Sequence, residues 1–386
     1  MAGAVRTIEL PLVTLPPGLE AIRGEVRAFI ERELAAHPPE RRAKSWLAFD
    51  PAFSRKVAER GWVGMTWPRR YGGGERSALE RYVVLEELLA AGAPVAAHWT
   101  GDRQSGPMLL RFGTEAQRAR FLPLLARGEI FFCIGMSEPD AGSDLAAIRT
   151  RARRVDGGWR VTGAKLWTSN AQRSDFMISL VRTEPPGPVK QQGLSQFIVD
   201  LKTPGIACRP IDDITGEPHF NEVVFDDAFL PDESLVGRPG DGWQQVTSEL
   251  AFERSGPERF LSAFPLLVEA WSQAQRAGNA AALAQFGRLL AHLMTLRQMS
   301  ISVAGLLQSG RDPAIEAALI KDLGMSFEQE VPRVVQAALG AVPTMAARDA
   351  LSRMLAMVTL LAPSFSLRGG TREIMRGIIA RSLGLR

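Results

Sequence analysis

The chain carries four histidines, His37, His98, His219 and His292, and none stands at the spacing that two ligands of one metal ion require. No cysteine cluster joins them, so no metal site is expected. Cys133 and Cys208, the only cysteines, sit among apolar neighbours. They read as small hydrophobes in strands of a protein from a reducing compartment, rather than as a redox pair or a nucleophile. Gly135-Met136-Ser137 runs on into Glu138-Pro139, which is not the Gly-x-Ser-x-Gly elbow of a serine hydrolase. Tyr71-Gly72-Gly73-Gly74 lacks the lysine and the leading strand of a phosphate loop. Gly237-Arg238-Pro239-Gly240-Asp241-Gly242 matches a dinucleotide fingerprint only loosely and lies outside any βαβ unit. Other residues have plain but unspecific chemistry. Taken alone, Glu253-Arg254 reads as a solvated helix ion pair, Ser143 as a turn residue, Trp167 as a half-buried strand residue and Ser169 as a cap.

The elements that must position these residues follow from composition and periodicity. The 386 residues are 46% hydrophobic and 23% charged, an ordinary globular balance. At roughly 100–200 residues per domain this predicts about two to three domains. The net charge of +4 comes from 46 basic and 42 acidic residues. The basic clusters Arg41–Lys44 and Arg151–Arg154 are too short for a polybasic tail, so no nucleic-acid partner is expected. The N-terminus has no apolar core followed by a cleavage site, and Met354–Phe365 is too short and proline-broken to span a bilayer. A soluble, cytoplasmic protein with no membrane partner is expected.

Three textures follow one another. Residues 1–126 read as a helical domain: Gly18–Leu34 puts Leu19, Ile22, Val26, Phe29 and Ile30 on one face, and Ala78–Leu89 and Glu115–Leu125 repeat the pattern, the latter capped by Thr114. Residues 127–238 read as a β domain. Its strands are Phe131–Met136, Gly158–Trp167, Asp175–Arg182, Leu194–Leu201, Gly205–Pro210 and Asn221–Phe229, parted by Asp-Gly, Pro-Pro-Gly and Pro-Gly turns. Without room for crossover helices, an antiparallel barrel or sandwich is expected. Residues 239–386 read as a four-helix bundle over 243–275, 278–308, 313–340 and 345–362, followed by Gly369-Gly370 and a last helix, Arg372–Leu383. The fold class is α+β.

Four segments, in order, carry a family resemblance. Met136-Ser137-Glu138-Pro139-Asp140-Ala141-Gly142-Ser143-Asp144 resembles the S/T-E-P-x-A-G-S-D signature of the acyl-CoA dehydrogenases. Gly163-Ala164-Lys165-Leu166-Trp167-Thr168-Ser169-Asn170 resembles their G-x-K-x-W strand. Thr215-Gly216-Glu217, with Phe220-Asn221-Glu222-Val223 and Phe225-Asp226-Asp227, resembles a later strand, after which Gly242-Trp243 opens the bundle. Gly369-Gly370-Thr371-Arg372-Glu373-Ile374 resembles the G-G-T-x-E-I terminus. The resemblance implies a tetramer, homomeric or heteromeric. It also implies FAD held between domains and between subunits, and an acyl-CoA substrate oxidised to the trans-2-enoyl-CoA. In that chemistry a base takes the α proton and the β hydrogen leaves as hydride to flavin N5. An electron-transferring flavoprotein is the implied acceptor.

Residue by residue, the resemblance implies that Met136 and Ser137 face the pyrimidine side of the flavin. There a hydroxyl and backbone N–H groups stabilise charge on the reduced ring. It further implies that Trp167 covers the ring face, that Ser169 meets N5, and that Thr371 and Glu373 are cofactor contacts. Ser143 is implied as a contact to the CoA arm. Many members carry the base immediately before the Gly-Thr pair, where this chain has Gly369. Another branch, typified by isovaleryl-CoA dehydrogenase, carries it in L-x-x-E-R, which Leu250-Ala251-Phe252-Glu253-Arg254 resembles. Glu253 is therefore the candidate base, with Arg254 orienting the site or the CoA. A carboxylate is a weak base for a C–H, so the enolate needs stabilising as well; the backbone N–H at Gly369 is the implied donor to the thioester oxygen.

Three positions depart from the pattern. Phe286-Gly287 are present, but the arginine expected before them is Leu283, and the glutamine expected after them is Met294. The Q-x-x-G-G-x-G turn survives only as Gln336 to Gly340. Losing a charged phosphate donor removes about 1.5–3 kcal/mol. The pattern resembles one subunit of the bacterial α2β2 dehydrogenases that act on steroid side-chain thioesters, with phosphate contacts supplied by a partner subunit. The competing expectation is a degenerate, non-catalytic partner subunit. Gly92, Ala93, Ala96, Ala97, Gly101 and Gly106 leave two readings open: room for a bulky acyl group, or close helix packing.

Overall fold

Leu19, Val26 and Phe29 recur on one face, and there the chain folds as helix α1 (Leu19–Glu33) with all three buried. The computed structural model describes residues 7–185, 187–254 and 256–385, with the side chains of 249–253 outside the description. Helix α2 (Ala78–Ala90) opens on a reciprocal cap. Ser77 Oγ accepts the Glu80 N–H at 3.1 Å, and the Glu80 carboxylate accepts the Ser77 N–H at 2.7 Å. Thr114 and Gln117 repeat that box at 3.2 and 2.9 Å, starting α3 (Glu115–Ala126) where the sequence places it. Shorter helices, Pro51–Glu59, Ala96–Thr100 and Gly106–Phe112, lie between.

The chain divides into two compact units. One holds residues up to Ala48, Arg76–Val95 and the chain from Ala251 onward; the other holds Phe49–Glu75 and Ala96–Leu250.

The second unit is built on eight strands: β1 (Phe132–Gly135), β2 (Arg151–Val155), β3 (Gly158–Lys165), β4 (Phe176–Arg182), β5 (Leu194–Asp200), β6 (Ile206–Ile211), β7 (Phe220–Pro231) and β8 (Leu235–Val236). Their order is β6-β7-β3-β2-β4-β5-β8, with β1 pairing β4. Most ladders are antiparallel, as the hairpin signals predict. Two are parallel, β1 with β4 and the single pair Arg151 with Arg182, so the sheet is mixed. β2 is not among the strands expected from the sequence. Its residues Arg151-Ala152-Arg153-Arg154-Val155 look like a charge cluster, yet Ala152 is the one buried residue and the arginines stand outward. Met177, Val181, Phe197, Val199, Val223 and Phe225 form the sheet's core. Cys133 is buried in β1 and Cys208 half-buried in β6, both as free thiols.

Helices return with α4 (Gly242–Glu253), α5 (Phe264–Arg276), α6 (Ala280–Gln308), α7 (Ala314–Leu339), α8 (Ala350–Phe365) and α9 (Arg372–Ser382). The single helix expected over 243–275 is two. Gly256 is extended (φ −74°, ψ 168°), the conformation a residue before proline prefers, and Pro257 has no N–H to continue a ladder. In the first unit Leu19, Tyr82 and Val83 pack against Ile301 and Ala304 of α6, and Met375 of α9 packs against Ala318 and Met325 of α7. Among the described residues no helix is long and apolar enough to cross a membrane, and no group of three or more His, Cys, Asp or Glu is placed to hold a metal ion.

Candidate functional site

Met136, Ser137, Trp167 and Ser169 lie in the second unit, where the exit of β1 meets the exit of β3. Leu166 N–H donates to Ser137 O at 2.9 Å. Beneath that bond, buried Lys165 reaches Met136 O at 3.2 Å and the Glu138 carboxylate at 2.8 Å. The same carboxylate accepts the N–H of Arg149 at 2.6 Å and of Thr150 at 2.9 Å. One buried ion pair thus ties both motifs together. Burial pushes the Lys165 ammonium down to about 8 against the pull of Glu138. Burial alone would raise the Glu138 carboxyl, but Lys165 and then the Arg149 N–H outweigh it and hold it below the usual range.

Past Lys165 the backbone turns left-handed at Trp167 (φ 61°) and Asn170 (φ 57°). The Asn221 side chain donates to Thr168 O at 3.1 Å and fixes the turn. Trp167 is left 56% exposed, held edge-on by Phe220 at 5.9 Å between ring centroids. Ser169 is also exposed, and Ser137 is half-buried. A large, half-open indole beside two hydroxyls suits a flat heteroaromatic ring, apolar on its face and hydrogen-bonding at its edge. These residues fit a flavin ring. Ser143 is exposed on the following loop, which Arg182 clips in place by donating to Ala146 O and Gln192 O, both at 2.9 Å.

Gly369, Gly370, Thr371, Glu373 and Arg254 lie in the first unit. Gly369 (φ 66°) and Gly370 (φ 96°) make a left-handed turn into α9. A side chain at Gly370 would meet Met375 Cε at 2.8 Å and stand 3.7 Å from Arg254 Nη2. Buried Arg254 is therefore brought against the turn. Thr371 stands at the N-cap position of the helix without a side-chain capping bond, and Glu373 is exposed there. Its own backbone N–H, then the Thr371 hydroxyl, hold the Glu373 carboxyl below the usual range. Lys321 Nζ donates to Gly370 O at 2.5 Å, and Arg372 and Arg376 grip Asp322 at 3.1 and 3.3 Å. Glu253 ends α4, and its side chain lies outside the described residues.

The phosphate-binding positions do not fit a charged ligand. Leu283 is half-buried, and Met294 is 62% exposed, lining an apolar recess with Leu10, Leu12 and Met299. Gln336 is exposed on α7, and Gly340 is simply the left-handed C-cap of that helix. Packing accounts for three of the small residues. A Cβ on Gly92 would stand 2.2 Å from Arg42 O, one on Gly101 2.6 Å from Leu125, and one on Gly106 2.1 Å from Trp67. Glu138 and Lys165 were visible in the sequence only as letters of two motifs. No local pattern marks either as buried, since Glu138 lies in a polar loop and Lys165 ends a strand that also carries Arg160 and Thr162.

Models of the acyl-CoA dehydrogenase N-terminal and middle domains match residues 16–129 and 133–228. Acyl-CoA dehydrogenase FadE34 of Mycobacterium tuberculosis is 34% identical over 94% of this chain, but the match covers 48% of FadE34, so the chain spans about half of that relative's length. Acyl-CoA dehydrogenase IpdE1 of the same organism is 33% identical over 86% of this chain and 87% of its own length. Among solved structures, the Tcur3481-Tcur3483 steroid ACAD superposes with a TM-score of 0.86 at 27% identity, covering 97% of this chain and 99% of that one. The ChsE4-ChsE5 complex from Mycobacterium tuberculosis gives 0.82 at 29%, with the same coverage. The chain belongs to the acyl-CoA dehydrogenase family, a family of flavoprotein oxidoreductases, and has its fold.

Proposed function

We propose that this chain is a flavin-dependent dehydrogenase that converts an acyl-CoA thioester to the trans-2-enoyl-CoA. The observation that carries the reading is the exposed Trp167 face, set beside Ser137 and Ser169 by the buried Lys165–Glu138 pair. Met136, Ser137, Trp167 and Ser169 hold the ring of FAD; Thr371 and Glu373 are further cofactor contacts. When bound, the flavin supplies the oxidant that takes the β hydrogen as hydride. Glu253 takes the α proton of the substrate. The Gly369 N–H donates to the thioester oxygen, where negative charge develops as that proton leaves. A glycine there has lost the side chain but keeps the N–H. Arg254 orients the acyl-CoA, and Ser143 meets its CoA arm.

The apolar surface at Leu283 and Met294 favours a heteromeric assembly in which a different subunit supplies the phosphate contacts. The likeness to the ChsE4-ChsE5 complex and to a steroid ACAD supports that reading, with a bulky steroid-type acyl group as substrate and an electron-transferring flavoprotein as acceptor. A cytoplasmic site of action, and the division at 126/127 and 238/239 into helical, β and bundle domains, complete the proposal. The second reading, a non-catalytic subunit, is favoured by the same two residues and opposed by Glu253, which such a subunit has no reason to keep.

The visible absorption spectrum of the purified chain, alone and with its partner subunit, tests this. A flavin band that bleaches with an acyl-CoA in the complex is expected, and Glu253→Gln should keep the band and lose nearly all turnover. Comparable turnover by that variant overturns the base assignment. Stoichiometric flavin in a homotetramer of the chain alone overturns the heteromeric reading.

A further inference from the structure

The residue immediately before the Gly369-Gly370 turn plays no part in the chemistry proposed above, yet it is held from several sides. Arg368 sends its side chain inward, where it is only 15% exposed. Its Nη2 donates to the Glu328 carboxylate and to Ser262 Oγ, both at 2.9 Å. The guanidinium lies over the rings of Trp46 at 4.3 Å and Phe365 at 4.7 Å. Glu328 is wholly buried on α7, and its other oxygen accepts the Ser262 N–H at 2.9 Å. Ser262 Oγ in turn accepts Trp46 Nε1 at 3.0 Å. Three separate stretches of the first unit, besides its own, therefore converge on one guanidinium.

Two glycines in left-handed conformation are the least self-restrained backbone a chain can offer. Here they are fixed from outside, by Arg368 on one flank and by Lys321 on the Gly370 carbonyl at 2.5 Å on the other. A buried ion pair is weak evidence for stability, and an apolar pair of similar volume often serves as well. What an apolar pair lacks is direction. A planar guanidinium clamped by a carboxylate, a hydroxyl and two ring faces has a single orientation, and its own backbone then has little freedom.

We infer that Arg368, clamped by Glu328, Ser262 and Trp46, is a positioning residue that fixes the Gly369-Gly370 backbone so that the Gly369 N–H points at the thioester oxygen. The inference rests on the proposed function for what the N–H does, and on the structure for how it is held. The cationic side chain touches no reacting atom and acts through the peptide unit that follows it.

The test compares wild type, Arg368→Lys, and the double variant Glu328→Gln/Arg368→Met, in which the introduced amide oxygen can still accept the Ser262 N–H. Backbone 15N order parameters at Gly369 and Gly370, measured in the chain itself, should fall from about 0.85 to below about 0.6 in the double variant while α7 and α8 keep theirs. In the flavin-loaded complex, kcat should fall about tenfold or more with KM within about threefold, the split expected when an interaction made in the transition state is lost. Arg368→Lys should fall between, since it keeps the charge and loses the planar group that lies over the Trp46 and Phe365 rings. Unchanged order parameters and kcat in a folded double variant overturn the inference, as does a folded lysine variant indistinguishable from wild type should the double variant not fold. Absence of acyl-CoA turnover in wild type counts against the proposed function alone, because the order parameters test the clamp without it.

Discussion

In the second unit Glu138 takes three donors, the Lys165 ammonium and the N–H groups of Arg149 and Thr150. Among the described residues of the first unit, Glu328 accepts from Arg368 Nη2 and the Ser262 N–H. Both carboxylates are buried, both pair with a cation, and both hold a loop of the proposed site. They respond to burial in opposite ways. Lys165 and the backbone hold the Glu138 carboxyl below the usual range, whereas burial pushes the Glu328 carboxyl above it in spite of Arg368. The donors win in the first case, and desolvation wins in the second. A buried pair is thus not one kind of interaction. Its effect on stability depends on how many donors replace the lost water.

The comparison can be broken most directly by removing each cation. Lys165→Met and Arg368→Met each leave a buried carboxylate without its partner, and each should cost about 3–5 kcal/mol in chemical denaturation. Lys165→Met should lie at the lower end, because Glu138 keeps two backbone donors. A larger loss at Lys165 than at Arg368 would reverse the ranking.

The pH dependence sharpens the contrast with a smaller effect. Glu138 has a lowered folded value, so the stability it contributes is complete above about pH 4.5, its unfolded value, and is lost as pH falls through the folded value. Glu328 has a raised folded value, so its contribution is complete below about pH 4.5 and is lost as pH rises through the folded value. Unfolding free energies of wild type, Glu138→Gln and Glu328→Gln between acid and neutral pH should show wild type gaining on the first variant as pH rises and losing ground to the second. Two slopes of the same sign would refute the distinction.

The smallest effect is a calibration. Ser77→Ala in the first unit and Thr114→Ala in the second each remove a cap with the same reciprocal geometry, and each should cost about 1 kcal/mol. Unequal losses would mean that the two units respond differently to the same local change, and the ranking of the buried pairs would need correcting for it.

Much of this was legible along the chain. The faces of α1, α2 and α3, the Thr114 cap and six of the eight strands follow from spacing that acts within a few residues. The two motifs of the proposed flavin ring were legible as runs of neighbouring residues, whereas the turn at Trp167 to Asn170 is fixed by Asn221 and Phe220 from a distant strand. β2 was hidden because three of its five residues are exposed arginines and only Ala152 is buried, which leaves no alternation to read. The break before α5 was carried by one dipeptide, Gly256-Pro257, inside an otherwise apolar run.

By itself, then, the sequence determined the order of helical, β and helical regions and the family. Those depend on interactions of short range, or on runs of neighbouring residues. Tertiary structure alone decided that Lys165 meets Glu138 from 27 residues away and that Arg368 meets Glu328 from 40. It also decided that Gly92, Gly101 and Gly106 serve close packing. The reason is physical: what a buried charge or a missing Cβ does depends on which distant atoms are packed against it, and no local period encodes that.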